Sequence, residues 1–494
     1  MVDISNSYVE PGVYFQIANQ IIPNIQTGDL AAVFIGKGIV TRPYIYNNSN
    51  GIEINSDGKY IIPIGMVGGG TSTNNKLIKL VFKDGNKTTE ITNLSDWTIT
   101  IAADNITITP PSGWSSGNKL VYAEGRCNKS NDDLLRLCSS KDQVVMWFGD
   151  YRIDSADPSN PIFYCTDPTE LSSDVQGESL AFAAELYFGT NYNVKAYFLQ
   201  TNKYDNSNLT DNDVLSLLAD VNPYCIVFLK SPTTDNLAAL KNHVETMSNI
   251  TNRKNRIAIV TLGKDTDNKD DKDSSIQAYI TAATTLNSRR MVLIAPSSYT
   301  YSYTDSSGNS IDITLPAHWA AVEFSAKICN NDYSAGEPLT GKPLVFFKGA
   351  YDIYNRTQKN TLAANGICVL EQTPIGSPYI RHALTTATGN IVDAELKMTR
   401  LEDMLSIYTL LPLLDSTFIH GPNGVARATP LTLLSIRDTV LNVLNSWINK
   451  NDIVSRDNVQ VIQNNLDPRQ VDVSFRIRPS WDVDWIKVTF GIYL

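Results

Sequence analysis

The sequence predicts an α/β multidomain fold, with a central, mostly parallel α/β domain and a small β-domain inserted ahead of it. Between 126 and 310, short continuous apolar runs alternate with longer helical patterns. That alternation is the signature of βαβ units whose strands are buried on both faces. Between 44 and 125 the helical patterns vanish, and hairpin dipeptides separate β-prone runs instead. The two ends supply a third observation. Both alternate apolar and polar residues with a period of two, so each needs one face buried and an edge partnered.

Segment 1–43 reads as an N-terminal arm followed by a first core strand. Pro11-Gly12 precedes Val13, Phe15 and Ile17, which fall on one strand face, and a connector with Pro23 and Gly28 leads to the apolar run 31–36. In the inserted domain, 44–125, Asp57-Gly58 and Asp84-Gly85 are hairpin-type turns, and 97–101 and 106–109 flank Asp104-Asn105. In the central domain, 126–310, the runs 144–148, 194–199, 225–229, 257–261 and 291–295 read as strands. Segments 179–188, 236–250 and 275–287 read as helices between them. Asp211 and Asp213 suit the cap of a helix containing Val214 and Leu215. The charged stretch 264–272 reads as a solvated loop.

The last block, 311–494, opens on a helix running to about Cys329, with His318 as a structural residue at its start. A second helix over 431–450 places Leu433, Ile436, Val440, Leu444 and Trp447 on one side. Val471, Val473, Phe475 and Ile477 then alternate strictly with polar residues up to Pro479. The final strand carries Ile486, Val488, Phe490 and Ile492 on one face.

Composition narrows the function. The net charge of −10 argues against a nucleic-acid partner or a membrane-surface binder, both of which require a basic face. No run approaches the ~18–20 apolar residues of a membrane helix, so no membrane insertion is expected. The first residues lack the basic and apolar regions of a signal peptide, so folding in the cytoplasm is expected. Six scattered cysteines without CxxC spacing allow three disulfides, but Cys225 sits within an apolar run and buried free thiols are expected. Four histidines show no metal-ligand spacing, and neither a GxSxG elbow nor a phosphate loop occurs. No catalytic, metal or cofactor site is expected.

Several segments in shared order resemble the contractile tail sheath family of myophages and related injection systems. They are Glu10-Pro11-Gly12-Val13-Tyr14, the stretch 31–43 (AAVFIGKGIVTRP), the stretch 180–199 (LAFAAELYFGTNYNVKAYFL), and Leu362 to Ile367. Two departures stand out: Cys368 where an Asn is usual, and Arg381-His382-Ala383-Leu384-Thr385 in place of a Trp-Gly-x-Arg-Thr loop. The resemblance implies an α+β sheath core built from the N- and C-terminal segments. It implies arm strands (Val13, Phe15, Ile17; Ile486, Val488, Phe490, Ile492) that add to sheets of neighbouring subunits, with Val471, Val473, Phe475 and Ile477 as a candidate acceptor strand. Such a subunit polymerises into a helical tube around an inner tail tube and contracts to drive that tube through a host envelope. The implied partners are other copies of the chain, the inner tail tube protein, and the baseplate and tail terminator proteins. The implied location is the virion tail, after assembly in the host cytoplasm. The alternatives are a baseplate or adhesin component forming rings or trimers, and, more remotely, a hydrolase on the central α/β domain.

Overall fold

The computed structural model describes residues 30–63, 76–101, 105–129, 131–154, 162–166, 174–191, 194–203, 208–231, 233–249, 251–268, 270–305, 307–330, 333–350, 354–372, 377–388, 394–420 and 425–480. The chain forms two compact units, one of residues 31–231 with 301–326, the other containing 232–300 and 327–494. These units cut across the segment 126–310.

In the first unit, the strand Ala32–Gly36 lies between Ala196–Gln200 and Cys225–Phe228, parallel to both. Leu135–Cys138 pairs antiparallel on the far side of Ala196–Gln200. All five residues of Ala32–Gly36 are buried, as a strand covered on both faces requires. The helix Leu180–Thr190 is apolar almost all round and is accordingly buried along most of its length. Ser179 caps it, its hydroxyl accepting from the Phe182 N–H. Phe182 packs between Phe163, at 4.6 Å, and Trp319, at 4.7 Å, while Phe34 meets the edge of Tyr187 at 5.0 Å. Gly36 is required by close approach, since a Cβ there would stand 2.4 Å from the Glu178 carbonyl oxygen.

One expected strand is a helix. The run 144–148 lies in the helix Lys141–Phe148, because Ser140 accepts from the Gln143 N–H and nucleates the turn. A five-residue apolar run cannot by itself distinguish a buried strand from a helix face. Thr210 and Asp213 form a reciprocal capping box on the helix Asp211–Asp220, whereas Asp211 pairs with Lys230 at 2.6 Å.

A β-sandwich interrupts this unit. Its four-stranded sheet runs in the order Thr41–Ile52, Lys119–Asn128, Lys76–Asp84, Lys87–Ile91, and its three-stranded sheet in the order Tyr60–Pro63, Asn105–Thr109, Thr98–Ile101. Between them lies an aromatic core. Phe82 stacks on Trp97 at 5.2 Å and meets Trp114 edge-on at 4.9 Å, and the Trp114 indole donates to the Tyr60 hydroxyl. Asp84-Gly85 turns the hairpin between Lys76–Asp84 and Lys87–Ile91. Asp57-Gly58 does not turn a hairpin: the strands on either side of it belong to different sheets, and it passes the chain from one to the other. At the root, Thr41 pairs with Asn128. There Arg126 donates to Thr41 Oγ1, to the Thr41 carbonyl and to the Met146 carbonyl, and buried Lys129 donates to the Ile39 carbonyl and Gln200.

In the second unit, Ile257–Thr261, Met291–Ala295 and Ile367–Gln372 are parallel neighbours, and Pro378–Ile380 closes the edge antiparallel. Cys368 is a buried residue of this sheet, opposite Ile294. The stretch 264–272 is more than a solvated loop. Its Asp267 accepts from the Ser297 N–H and hydroxyl and from the Tyr354 hydroxyl, and its end starts the helix Lys272–Leu286 with Asp271 as cap. All six cysteines are free and buried.

Candidate functional site

The helix Pro430–Asn449 begins with Thr429 as cap and Pro430 in its first turn, and buries Ile436, Val440, Val443, Leu444 and Trp447. It ends at Asn451, which takes a left-handed conformation (φ 61°) and reverses the chain. Two long strands follow, Ile453–Gln463 and Val471–Pro479, paired antiparallel as a sheet of two. The first runs along the helix, where Arg456 Nε donates to Asn445 at 2.9 Å. Ile453 and Phe475 are the hairpin's buried side chains.

Among the described residues neither outer edge of this hairpin carries a third strand. Two strands alone are marginal in water, and an open edge is a template for another chain. Val471, Val473, Phe475 and Ile477 fall on alternate positions, with Phe475 buried and the other three half-buried, while Ser474, Arg476 and Arg478 are exposed. The partner strand is interrupted between Asp457 and Gln460, where Asn458 has φ 53°, and this irregularity twists the edge. Val454 and Ile462 are exposed by 53% and 56%, unusual for β-branched residues on a packed strand.

The tip is held by short polar contacts. Asn464 Oδ1 accepts from the Leu466 and Asp467 N–H groups, and its amide donates to Asp472. Arg469 donates twice to Asp467 and holds that carboxyl below its usual range.

The hairpin's base is tied into a polar frame. Asp452 Oδ1 accepts from the Gly336 N–H at 2.6 Å, and the Asp452 carbonyl accepts from the Ser480 N–H and hydroxyl. Gly336 follows a loop whose carbonyls face Arg400. This guanidinium is fully buried and donates to the carbonyls of Ile328, Asn330, Tyr333, Ser334 and Ala335. Arg400 lies on the helix Leu396–Ser406, whose next acidic residues, Glu402 and Asp403, pair with Arg289 and Arg290. Asp403 also accepts from Asn255 at 2.6 Å.

The arm residues Val13, Phe15, Ile17, Ile486, Val488, Phe490 and Ile492 lie outside the described residues. Sequence reasoning missed the strand Ile453–Gln463 and the anchors Asp452, Gly336 and Arg400. The alternation Val459, Val461 after the Lys450-Asn451 helix end was a usable signal for the strand. Nothing local in the sequence marks a Gly and an Asp that meet across 116 residues.

Two histidines meet a single carboxylate each, His382 Nε2 with Glu395 at 2.6 Å and His420 Nδ1 with Asp415 at 2.8 Å. Burial pushes His318 down to about 3, and burial beside Arg256 pushes the half-buried His243 down to about 4, so both rings are neutral at pH 7. Among the described residues no group of three or more His, Cys, Asp or Glu side chains is placed to hold a metal ion. No described helix is long and apolar enough to cross a membrane.

Among the described residues, the hairpin presents two unpaired extended edges on a hydrogen-bonded frame. No family model matches the chain. In sequence it is similar to a tail sheath protein of Mycobacterium phage Bxz1, with 23% identity over 260 residues, which are 52% of this chain and 41% of that protein. The match therefore spans about two fifths of that relative's length. In fold it is similar to a chain in the cryo-EM structure of the anti-feeding prophage baseplate, with a TM-score of 0.50 and 11% identity, covering 99% of this chain and 100% of the other. A chain of the anti-feeding prophage helical sheath in its contracted state gives a TM-score of 0.49 at 10% identity, over 98% of this chain and 99% of the other. The sequence similarity to that phage tail sheath protein bears out the resemblance read from the sequence.

Proposed function

We propose that the chain is a structural subunit of a contractile tail sheath. It polymerises into a helical tube around an inner tail tube, and contraction of the tube drives the inner tube through a host envelope. The observation that carries this reading is the sequence similarity to a tail sheath protein. The two-edged hairpin Ile453–Gln463 and Val471–Pro479 supports it.

In this reading the arms of neighbouring copies, Val13 to Ile17 and Ile486 to Ile492, add strands beside Val471, Val473, Phe475 and Ile477. Each buried arm side chain would contribute ~1.5–3 kcal/mol and each new ladder hydrogen bond about 1 kcal/mol. Ordering costs ~1–2 kcal/mol per residue, so a single arm is modestly favourable and two make the lattice cohesive. The partners are other copies, the inner tail tube protein, and baseplate and tail terminator proteins. The particle is assembled in the host cytoplasm and resides in the virion tail. The protein's role is mechanical, and no nucleotide is consumed.

Negative-stain electron microscopy of the concentrated protein tests the reading, alone and mixed with its inner tube protein. Hollow helical tubes are expected, and a variant lacking 1–17 should remain a folded monomer that forms none. Closed rings or trimers under both conditions would move the assignment to a baseplate or adhesin component. The relative in fold comes from a baseplate structure, which keeps that outcome worth measuring.

A further inference from the structure

We propose that Asp452, with Gly336 and Arg400, is the anchor that fixes the hairpin 453–479 to its unit, so that a strand added at the hairpin edge moves the unit as one body. This rests on the hairpin's being the docking element for a second copy of the chain.

The geometry is a relay of hydrogen bonds through one residue. Asp452 stands where the helix Pro430–Asn449 ends and the hairpin begins, and its N–H donates to the Trp447 carbonyl at 3.0 Å. Its own carbonyl accepts from Ser480, the residue that follows the second strand, so both strands meet at this one peptide. Its side chain turns the other way, to the Gly336 N–H. The two residues before Gly336 present their carbonyls to Arg400. Arg400, Glu402 and Asp403 share one buried helix, and the two carboxylates reach the arginines that precede the strand Met291–Ala295.

Two features show that this contact is built for closeness rather than met by chance. Asp452 is 2% exposed, so its carboxyl has given up water for the Gly336 N–H. At position 336 a Cβ would stand 2.7 Å from Asp452 Cα and 2.8 Å from its carbonyl oxygen, so only glycine admits the approach. Without the anchor the hairpin's ties to its unit among the described residues include its packing on the helix and the Arg456–Asn445 bond, and a marginal two-stranded sheet would pivot under load.

The test is hydrogen–deuterium exchange on the full chain as soluble monomer, paired with the critical concentration for tube formation. Asp452→Ala should speed exchange in 453–463, 471–480 and 333–337 on the order of tenfold, leaving 291–295 and 396–406 unchanged. Asp452→Asn keeps an acceptor oxygen at the same place and should restore the native pattern. Gly336→Ala, which displaces Asp452 by bulk alone, should reproduce the alanine footprint. Assembly of the two damaging variants should need several times more protein. Unchanged hairpin exchange in Asp452→Ala, no rescue by asparagine, or faster exchange throughout the chain in both damaging variants would overturn the anchor. If the footprint appears while the wild-type protein forms no tubes, the anchor stands and the sheath reading falls.

Discussion

Arg400 shows what one buried charge does when its counter-groups are carbonyls. Five carbonyl oxygens at the end of one helix and in the loop beyond it converge on the guanidinium, where helix-end dipoles favour a cation. Arg400→Met fills similar volume but leaves those carbonyls without donors, and should cost about 3–5 kcal/mol of stability in urea unfolding. His318 is the opposite case, a ring kept neutral by burial, with no partner for its Nδ1. Folded, it protonates only near pH 3, against a usual value of 6.5, so in between the unfolded chain binds the extra proton. Its contribution is complete above pH 6.5 and drains as pH falls toward 3. His318→Phe should therefore flatten the acid limb, narrowing the fall in unfolding free energy between pH 7 and about pH 4.5 by about 2 kcal/mol or more, as read in urea titrations at each pH.

At the scale of elements, the proposed docking role of the hairpin would separate folding from assembly. Val454 and Ile462 are more than half exposed, so lysine at either position should leave monomer stability within about 0.5 kcal/mol. The same two changes, made together, should abolish tubes, because a charged edge resists strand addition. Electron microscopy beside a thermal melt distinguishes the two effects. Gly36→Ala makes the converse prediction. Its new methyl would collide with the Glu178 carbonyl and with Leu229, costing about 1–3 kcal/mol in the monomer. Strand Val471–Pro479 was legible because strict alternation survives any context, and helix Pro430–Asn449 because its apolar stripe recurs at helical spacing. The segment 144–148 was misread because its cap, Ser140, lies outside the apolar run that drew attention.

Over the whole molecule, the sequence revealed which segments are strands better than which strands are neighbours. Ala32–Gly36 sits between two strands from much later in the chain, and no pattern within five residues announces such partners. The ends were legible as alternating runs that lie outside the described residues, and the contact between Asp452 and Gly336 was not legible at all. The β-sandwich enters and leaves through paired strands, with Pro43 opposite Arg126 and Tyr44 opposite Gly125. Replacing 44–125 with Asn-Gly should therefore close a tight turn on that pair. The shortened protein should fold with a single cooperative transition, its melting temperature within a few degrees of the parent's, because the sandwich keeps its own aromatic core. Loss of that transition in calorimetry would show that the sandwich supports the sheet beneath it.

The buried cysteines bear on chemistry as well as packing. Burial pushes the Cys138 and Cys165 thiols up to about 11 and that of Cys368 up to about 12, so at neutral pH almost none of each is the reactive thiolate. With all six thiols buried, oxidants find no surface thiol through which to stitch one copy of the chain to another. Moving from a reducing to an oxidising medium would leave the contacts between copies wholly noncovalent. In the proposed sheath, subunits joined without covalent bonds would stay free to slide past one another.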